Sequence, residues 1–334
     1  MAGSKVSVSE GSKRLLTNIL RAAVSATLLG YVIWLVPIDE LGPLARRIDW
    51  RLVAASIGVS LIAAYLNAVR MYQLTAHQGI SLRARHHFRI NLITSFYGLF
   101  MPGYIAGGAI RWYYLSKPDG RRAQALAAIV FNRVLETTVL VGLGLAFWFA
   151  DTAKSSLENY NFVLIATALI CIAGYLLVMS PRVHDAVRRL IRAARAPQWL
   201  ATRVSKVQSA LESYSDRRWS FHLRIVSLAI LHHVFGLASL LLLVHAVSLD
   251  IQFVTIGWVR SVLALALMLP ISVGGFGVRE VTLVTLLEPY GVSTAAALML
   301  SLLILSRGLV SAALGGVLVA QEMLGSNRRT PPHP

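Results

Sequence analysis

Residues 293–320 read STAAALMLSLLILSRGLVSAALGGVLVA, and this stretch decides the class of fold. It is apolar apart from Arg307 and a few hydroxyl residues, and it exceeds the roughly 20 residues that a membrane-spanning helix needs. Comparable apolar runs occupy 19–36, 52–74, 124–150, 161–180 and 222–247. The sequence therefore predicts an all-α, polytopic membrane helix bundle with six to eight spans.

The composition agrees with this class. Of the 334 residues, 56% are hydrophobic and only 14% are charged, and the mean hydropathy is +0.63. Soluble domains carry about a quarter charged residues. This excludes a cytosolic α/β enzyme, a nucleic-acid-binding domain and a disulfide-bonded secreted module. The single cysteine, Cys171, lies in an apolar run and is expected to be a packing residue.

The distribution of charge predicts the orientation. The net charge is +17, and 21 of the 32 Lys and Arg residues fall on one predicted face, against four on the other. Cytoplasmic loops carry an excess of Lys and Arg, so both termini are expected in the cytoplasm. The run 19–36 ends without a small-residue cleavage site and is expected to be a retained span.

The pattern of spans and loops predicts the domain organisation. We expect a cytoplasmic N-terminal segment (1–18), a membrane domain (19–322) and a disordered tail (323–334). Within the membrane domain, a basic cytoplasmic loop (181–221) joins the two halves (19–180 and 222–322). In the loop, apolar residues alternate with arginines at helical spacing. Two interpretations fit, namely an amphipathic helix on the inner leaflet and a solvated loop.

Proline and glycine interrupt two further apolar stretches, 91–110 and 251–289. Both residue types weaken helices, and backbone groups freed at membrane depth need protein or water as partners. We therefore predict two re-entrant helix pairs, with breaks at Pro102, Gly107, Gly108, Pro270 and Gly277. A complete span over 251–270 stays open, and it would move the C-terminus to the other side.

The two broken stretches share a pattern that predicts an inverted repeat. An arginine follows the proline by nine positions in each, at Arg111 and Arg279, and the prolines lie 168 residues apart. Transporters built from inverted repeats place broken helices near the bilayer midplane. The N-termini of such half-helices favour an anionic group.

Ionisable residues inside the spans predict a binding site, because they are costly in lipid and usually face the protein interior or a polar cavity. Arginines outnumber carboxylates there by five to two. The surplus favours an anionic ligand, and guanidinium groups suit phosphate. The predicted substrate-binding residues are Arg133, Glu136, Arg279, Glu280, Arg307, Arg111, Arg260, Gly274 and Gly275.

Structural explanations stay open for several of these residues. Arg133 and Glu136 lie one helical turn apart, so they would also neutralise each other. Arg307 would be equally explained by a buried ion pair with Glu136 or Glu280. A further arginine, Arg70, fits a place near the inner membrane interface as well as a central one.

Motifs for catalysis or metal binding are missing from the sequence. His232 and His233 are adjacent and point to different faces of a helix, and His245 follows thirteen residues later with no acid nearby. There is no serine nucleophile motif, glycosidase acid pair, Walker motif or dinucleotide loop. We therefore predict no catalytic residue, no metal and no cofactor, and we expect that the protein is not an enzyme.

The sequence resembles the transmembrane domain family of lysylphosphatidylglycerol synthases, also called flippase-like membrane proteins. The resemblance rests on Pro102 with Gly107-Gly108 and Arg111, on NRVLE at 132–136, and on LPISVGGFGVRE at 269–280. Together with the spans, it covers about residues 15–322. Relatives often carry an acidic residue just before the loop arginine, whereas this chain has Gly107-Gly108-Ala109-Ile110 there.

The resemblance implies a protein of a bacterial-type inner membrane that moves a lipid between leaflets. The lipid would be an anionic phospholipid or a lipid-linked glycan intermediate. Membrane lipids are the implied partners, together with a separate lipid synthase or glycosyltransferase, and nucleic acid is not one. Two alternatives stay open: a transferase that acts on a lipid head group, and an accessory subunit that packs its small-residue face against an enzyme.

Overall fold

The computed structural model describes residues 30, 38–100, 104–153, 161–193, 197–269, 272 and 274–327. Regular structure in these ranges is helical, which confirms the all-α class. A short 3₁₀ turn, Glu288–Tyr290, precedes the last helix. The α-helices are α1 Ile38–Arg46, α2 Trp50–His77, α3 Ala84–Phe100, α4 Tyr104–Ser116, α5 Arg122–Ala150, α6 Asn161–Met179, α7 Pro181–Ala193, α8 Gln198–Ser215, α9 Trp219–Ala246, α10 Phe253–Met268, α11 Val278–Leu287 and α12 Thr294–Asn327.

Four of these helices are long and apolar enough to cross a membrane: α2, α5, α9 and α12. A fifth span results if α6 and α7, which meet at an angle of 79°, are counted together. The chain is therefore a multi-pass membrane protein, as its composition predicts. The segment 1–18 and the predicted first span 19–36, apart from Gly30, lie outside the described residues, so the total of six to eight spans stays a prediction.

The first predicted break lies between α3 and α4, which end and begin at Phe100 and Tyr104. Pro102 lies outside the described residues. The prediction of a break at Gly107 and Gly108 is wrong, because α4 runs through both. A Cβ atom at Gly107 would lie only 3.1 Å from the Cγ2 atom of Thr94, so this glycine allows close packing of α4 on α3.

The second break separates α10 from α11. Gly274, Gly275 and Gly277 have φ angles of +62°, +78° and +80°, which glycine adopts without strain. Pro270 lies outside the described residues. With 16 residues, α10 is only about 24 Å long, short of a bilayer core of about 30 Å. That both broken segments are re-entrant stays a prediction.

Helices of the two predicted halves pack against each other. The most extensive contacts join α2 to α9, α3 to α12, and α5 to α10. At the crossing of α2 and α9, the Ser56 hydroxyl donates to the Ser239 carbonyl (2.8 Å), and the Ser239 hydroxyl donates to the Ser56 carbonyl (2.9 Å). Such reciprocal contacts are what two related halves would make across a twofold axis. The inverted repeat itself stays a prediction.

The basic loop forms a helical pair. Helix α7 is strongly amphipathic, which agrees with the amphipathic interpretation of its sequence. Glu212 of α8 joins α7 through Arg188 at 3.1 Å and His184 at 3.2 Å. The position of α7 on the inner leaflet stays a prediction.

The C-terminal helix enters the stretch predicted to be disordered. Residues 323–327 continue α12, while 328–334 lie outside the described residues. The end of α12 is held because Glu322 accepts a hydrogen bond from the Tyr114 hydroxyl at 2.9 Å and lies 3.6 Å from Arg89.

Candidate anion-binding site within the helix bundle

Polar side chains from five helices meet inside the bundle. They come from α2, α5, α9, α10 and α12, which the packing above brings together. We call this set the central cluster. Its members are Asn67, Arg70, Asn132, Glu136, His232, His233, Arg260 and Arg307.

Glu136 of α5 is the carboxylate at the centre of the cluster. Its oxygens lie 3.4 Å from Nη2 of Arg70 and 3.2 Å from Nε2 of His232. The side-chain amides of Asn67 and Asn132 donate to it at 3.3 and 3.5 Å. All four distances exceed the usual N–H···O value of about 2.9 Å, so Glu136 is loosely held by many partners.

Helical periodicity produces this convergence. Asn67 and Arg70 are three positions apart on α2, and Asn132 and Glu136 are four apart on α5, so each pair shares one helix face. Arg70 is fully buried and donates from Nε to Oδ1 of Asn132 at 2.8 Å. Among the described residues, Nη1 of Arg70 and Oδ1 of Asn67 have no hydrogen-bond partner. The cluster therefore contains one donor and one acceptor that its own residues do not use.

Arg260 of α10 and Arg307 of α12 are half-buried and close enough to repel each other. Arg307 donates to the Ser239 hydroxyl at 2.7 Å, and Arg260 faces Nδ1 of His233 at 3.5 Å. Within the part of the chain that is described, no carboxylate lies within 4.0 Å of either guanidinium. A side chain at Gly236 would overlap the Arg260 guanidinium, so this glycine makes room for it.

The charges of the central cluster do not balance. Three guanidinium groups, those of Arg70, Arg260 and Arg307, surround one carboxylate, that of Glu136. Arg111 of α4 lies near enough to Arg70 to repel it, and it donates to Oδ1 of Asn91 at 2.9 Å. Buried charge without a counter-ion is costly, so the arrangement favours a bound anion.

Arg279 and Glu280 form a separate cluster, which we call the α11 pair. The Glu280 carboxylate accepts from Nη2 of Arg279 at 2.8 Å, from the Ser301 hydroxyl at 2.6 Å and from the backbone N–H of Gly277 at 2.7 Å. Both charged side chains are buried. The carboxylate also caps the N-terminus of α11, where a negative charge is favourable.

The structure separates several predicted site residues from the others. None of the contacts of Arg279 and Glu280 within the described ranges reaches the central cluster, and Gly274 and Gly275 lie in the turn beside the α11 pair. Arg133 is half-buried on α5, one turn before Glu136. Arg70 lies at salt-bridge distance from Glu136, and within the described residues Arg307 pairs with neither of the carboxylates considered for it.

The predicted site residues do not include five members of the central cluster: Asn67, Arg70, Asn132, His232 and His233. The available signal was spacing, because Asn67 with Arg70 and Asn132 with Glu136 are polar pairs one turn apart in apolar runs. The sequence did not show that α2, α5 and α9 bring these pairs together.

Another buried carboxylate lies at the end of α5, just outside the span. Asp151 accepts hydrogen bonds from Thr255, Trp258 and Tyr290 at 2.9, 2.8 and 2.9 Å. Burial alone would raise the pKa of Asp151, but these hydrogen bonds and one from the backbone of Ala153 lower it, and the net direction is downward. Burial raises the pKa of Tyr290, and its hydrogen bond to Asp151 raises it further. Asp151 thus fastens α5 to the segment around α10 and the 3₁₀ turn.

The fold and the cluster define a polytopic helical membrane protein with a cationic interior. The sequence profile of the lysylphosphatidylglycerol synthase transmembrane region matches residues 18–315. The chain therefore belongs to this family, a lipid-related family of membrane proteins. No curated protein and no solved structure matches the chain significantly.

Proposed function

We propose that the protein moves an anionic lipid, a phospholipid or a lipid-linked glycan intermediate, between the leaflets of a bacterial-type inner membrane. The observation that carries the proposal is the adjacency of Arg260 and Arg307, with no carboxylate of the described residues at salt-bridge distance from either. Their guanidinium groups would hold the headgroup phosphate, which accepts bidentate hydrogen bonds.

The remaining cluster residues have supporting roles in this proposal. Arg70 adds positive charge and an unbonded Nη1 donor, and Glu136 balances part of the charge when no lipid is bound. The acyl or prenyl chains would stay in the bilayer, so the bundle needs no wide aqueous pore. Transport of this kind breaks no covalent bond, so binding groups suffice and the protein would not be an enzyme.

The direct test is leaflet exchange in liposomes that contain the purified chain and fluorescent phosphatidylglycerol, with a labelled lipid-linked pyrophosphate in a parallel arm. We expect faster exchange than in protein-free liposomes for at least one of the two lipids. Failure to accelerate any plausible anionic lipid would overturn the proposal. Transport only in the presence of a co-purifying transferase would favour the accessory-subunit alternative instead.

Variants locate the site. Arg260→Ala and Arg307→Ala should each slow exchange about tenfold or more, because each removes a charge-assisted contact worth about 1.5–3 kcal/mol. Arg224→Ala is the matched control, since Arg224 is an exposed arginine on α9. Arg133→Ala tests the position that the sequence favours. An unchanged rate in a folded variant removes that arginine from the site.

A further inference from the structure

His232 lies between two hydrogen-bond acceptors. Its Nδ1 atom is 2.8 Å from the carbonyl oxygen of Ala63, and its Nε2 atom is 3.2 Å from Oε1 of Glu136. A neutral imidazole carries one N–H and satisfies one of them. Satisfying both requires either a second N–H on His232 or a proton on Glu136. The geometry therefore provides a place for one additional proton between the two side chains.

The neighbouring His233 is different. Its Nε2 atom lies 3.0 Å from the backbone carbonyl oxygen of Glu136, which accepts, and its Nδ1 atom faces the Arg260 guanidinium at 3.5 Å, which donates. A neutral imidazole with its proton on Nε2 satisfies both contacts. The additional proton is thus assigned to the Glu136–His232 pair.

Arginines on neighbouring helices lie around this pair. Arg70 of α2 and Arg260 of α10 attract Glu136, and they are in turn close to Arg111 of α4 and Arg307 of α12. The neutral groups that face the pair are Asn67, Asn132 and His233. Glu136 is therefore the carboxylate that competes with any anion for the attraction of these arginines.

We propose that the Glu136–His232 pair is a proton site linked to anion binding, so that the cluster takes up a proton when an anionic headgroup binds. The inference rests on the proposed function and adds a coupling ion to it. A phosphate near Arg260 and Arg307 adds a negative charge close to Glu136, and repulsion between the two is relieved when the pair takes a proton from water. Linkage is reciprocal, so protonation strengthens anion binding.

The test is the pH dependence of phosphatidylglycerol binding by the full chain in phosphatidylcholine nanodiscs, from about pH 5 to about pH 9. For the wild type we expect the dissociation constant to rise with pH, by up to about tenfold per pH unit. Glu136→Gln, which keeps the shape but holds no titratable proton, should bind tightly throughout with no such slope. Glu288→Gln, at an exposed position in the 3₁₀ turn, is the control and should keep the wild-type slope.

The outcomes separate the two proposals. A wild type that binds and transports the lipid with no pH slope overturns the proton site and leaves the transport proposal standing. Absence of lipid binding at every pH counts against transport. In that case infrared difference spectra across the same pH range still decide the proton site. A protonated-carboxyl or imidazolium band that changes with pH in the wild type and not in Glu136→Gln supports it. Identical pH difference spectra for the wild type and Glu136→Gln overturn it.

Discussion

The central cluster and the α11 pair contain the same chemistry, a glutamate beside an arginine within the bundle, but in different arrangements. The contacts of Glu280 measure between 2.6 and 3.1 Å, whereas those of Glu136 measure between 3.2 and 3.5 Å. Glu280 has one cationic partner, and Glu136 is shared among several.

The difference separates a buried charge that stabilises the fold from one that is suited to bind a ligand. The α11 pair is neutral and its hydrogen bonds are short, so it leaves nothing for a ligand to supply. The central cluster has more guanidinium groups than carboxylates, and a donor of its fully buried Arg70 has no hydrogen-bond partner among the described residues. We therefore expect an anion to complete the second arrangement and not the first.

The largest effect is expected at the α11 pair. Glu280→Gln leaves the Arg279 charge buried without its counter-ion, which typically costs about 3–5 kcal/mol. Thermal unfolding of the detergent-solubilised protein measures this loss. Anionic lipid should not restore the stability, and clear rescue by phosphatidylglycerol would mean that the α11 pair is itself a ligand site.

Glu136→Gln should destabilise the protein less, by about 1–3 kcal/mol, because the contacts of Glu136 are longer than those of Glu280. Here phosphatidylglycerol should restore stability, since it supplies the missing negative charge. The measurement is the unfolding temperature with phosphatidylglycerol and with phosphatidylcholine. Equal values in both lipids would contradict the distinction between the two glutamates.

Ser301→Ala removes a hydroxyl that bridges Arg279 and Glu280 at 2.8 and 2.6 Å in a fully buried position. A loss of about 1–2 kcal/mol in unfolding free energy is expected, with transport retained in the folded fraction. Ser306→Ala is the control on the same helix, because the Ser306 hydroxyl donates to the Leu303 carbonyl within α12. Similar losses in both variants would show that the bridge is unimportant.

Asp151 differs from both glutamates because its carboxylate accepts hydrogen bonds from neutral donors. Its folded pKa is lowered, so its stabilisation is present above the unfolded value of about 3.9 and is lost as the pH falls through the folded pKa. Asp151→Asn should cost about 1 kcal/mol at neutral pH, and the difference from wild type should shrink below about pH 4. Asp250→Asn, at an exposed position, should show neither effect in thermal unfolding.

Much of the architecture follows from sequence, because apolar length alone identifies α2, α5, α9 and α12. The second break is also foreseeable, since Gly274, Gly275 and Gly277 adopt left-handed backbone conformations. The predicted break at Gly107 is wrong because a glycine inside a helix also allows a neighbouring helix to pack closely. A single sequence does not distinguish a glycine that breaks a helix from one that serves packing.

The sequence indicates part of the central cluster. Arg260, Arg307 and Glu136 were identified by the cost of charge in a membrane, but the same criterion included Arg279 and Glu280, which satisfy each other. Pairing depends on which helices are neighbours, and Arg70 joins Glu136 only because α2 packs near α5. Such long-range packing is not encoded in local spacing.

The most direct measurement is a density map of the protein in nanodiscs that contain phosphatidylglycerol. Our account predicts a lipid phosphate within about 3 Å of the guanidinium groups of Arg260 and Arg307, inside the bundle. Phosphates found only at the bilayer surfaces, with each of these arginines neutralised by protein or reaching bulk solvent, would contradict it.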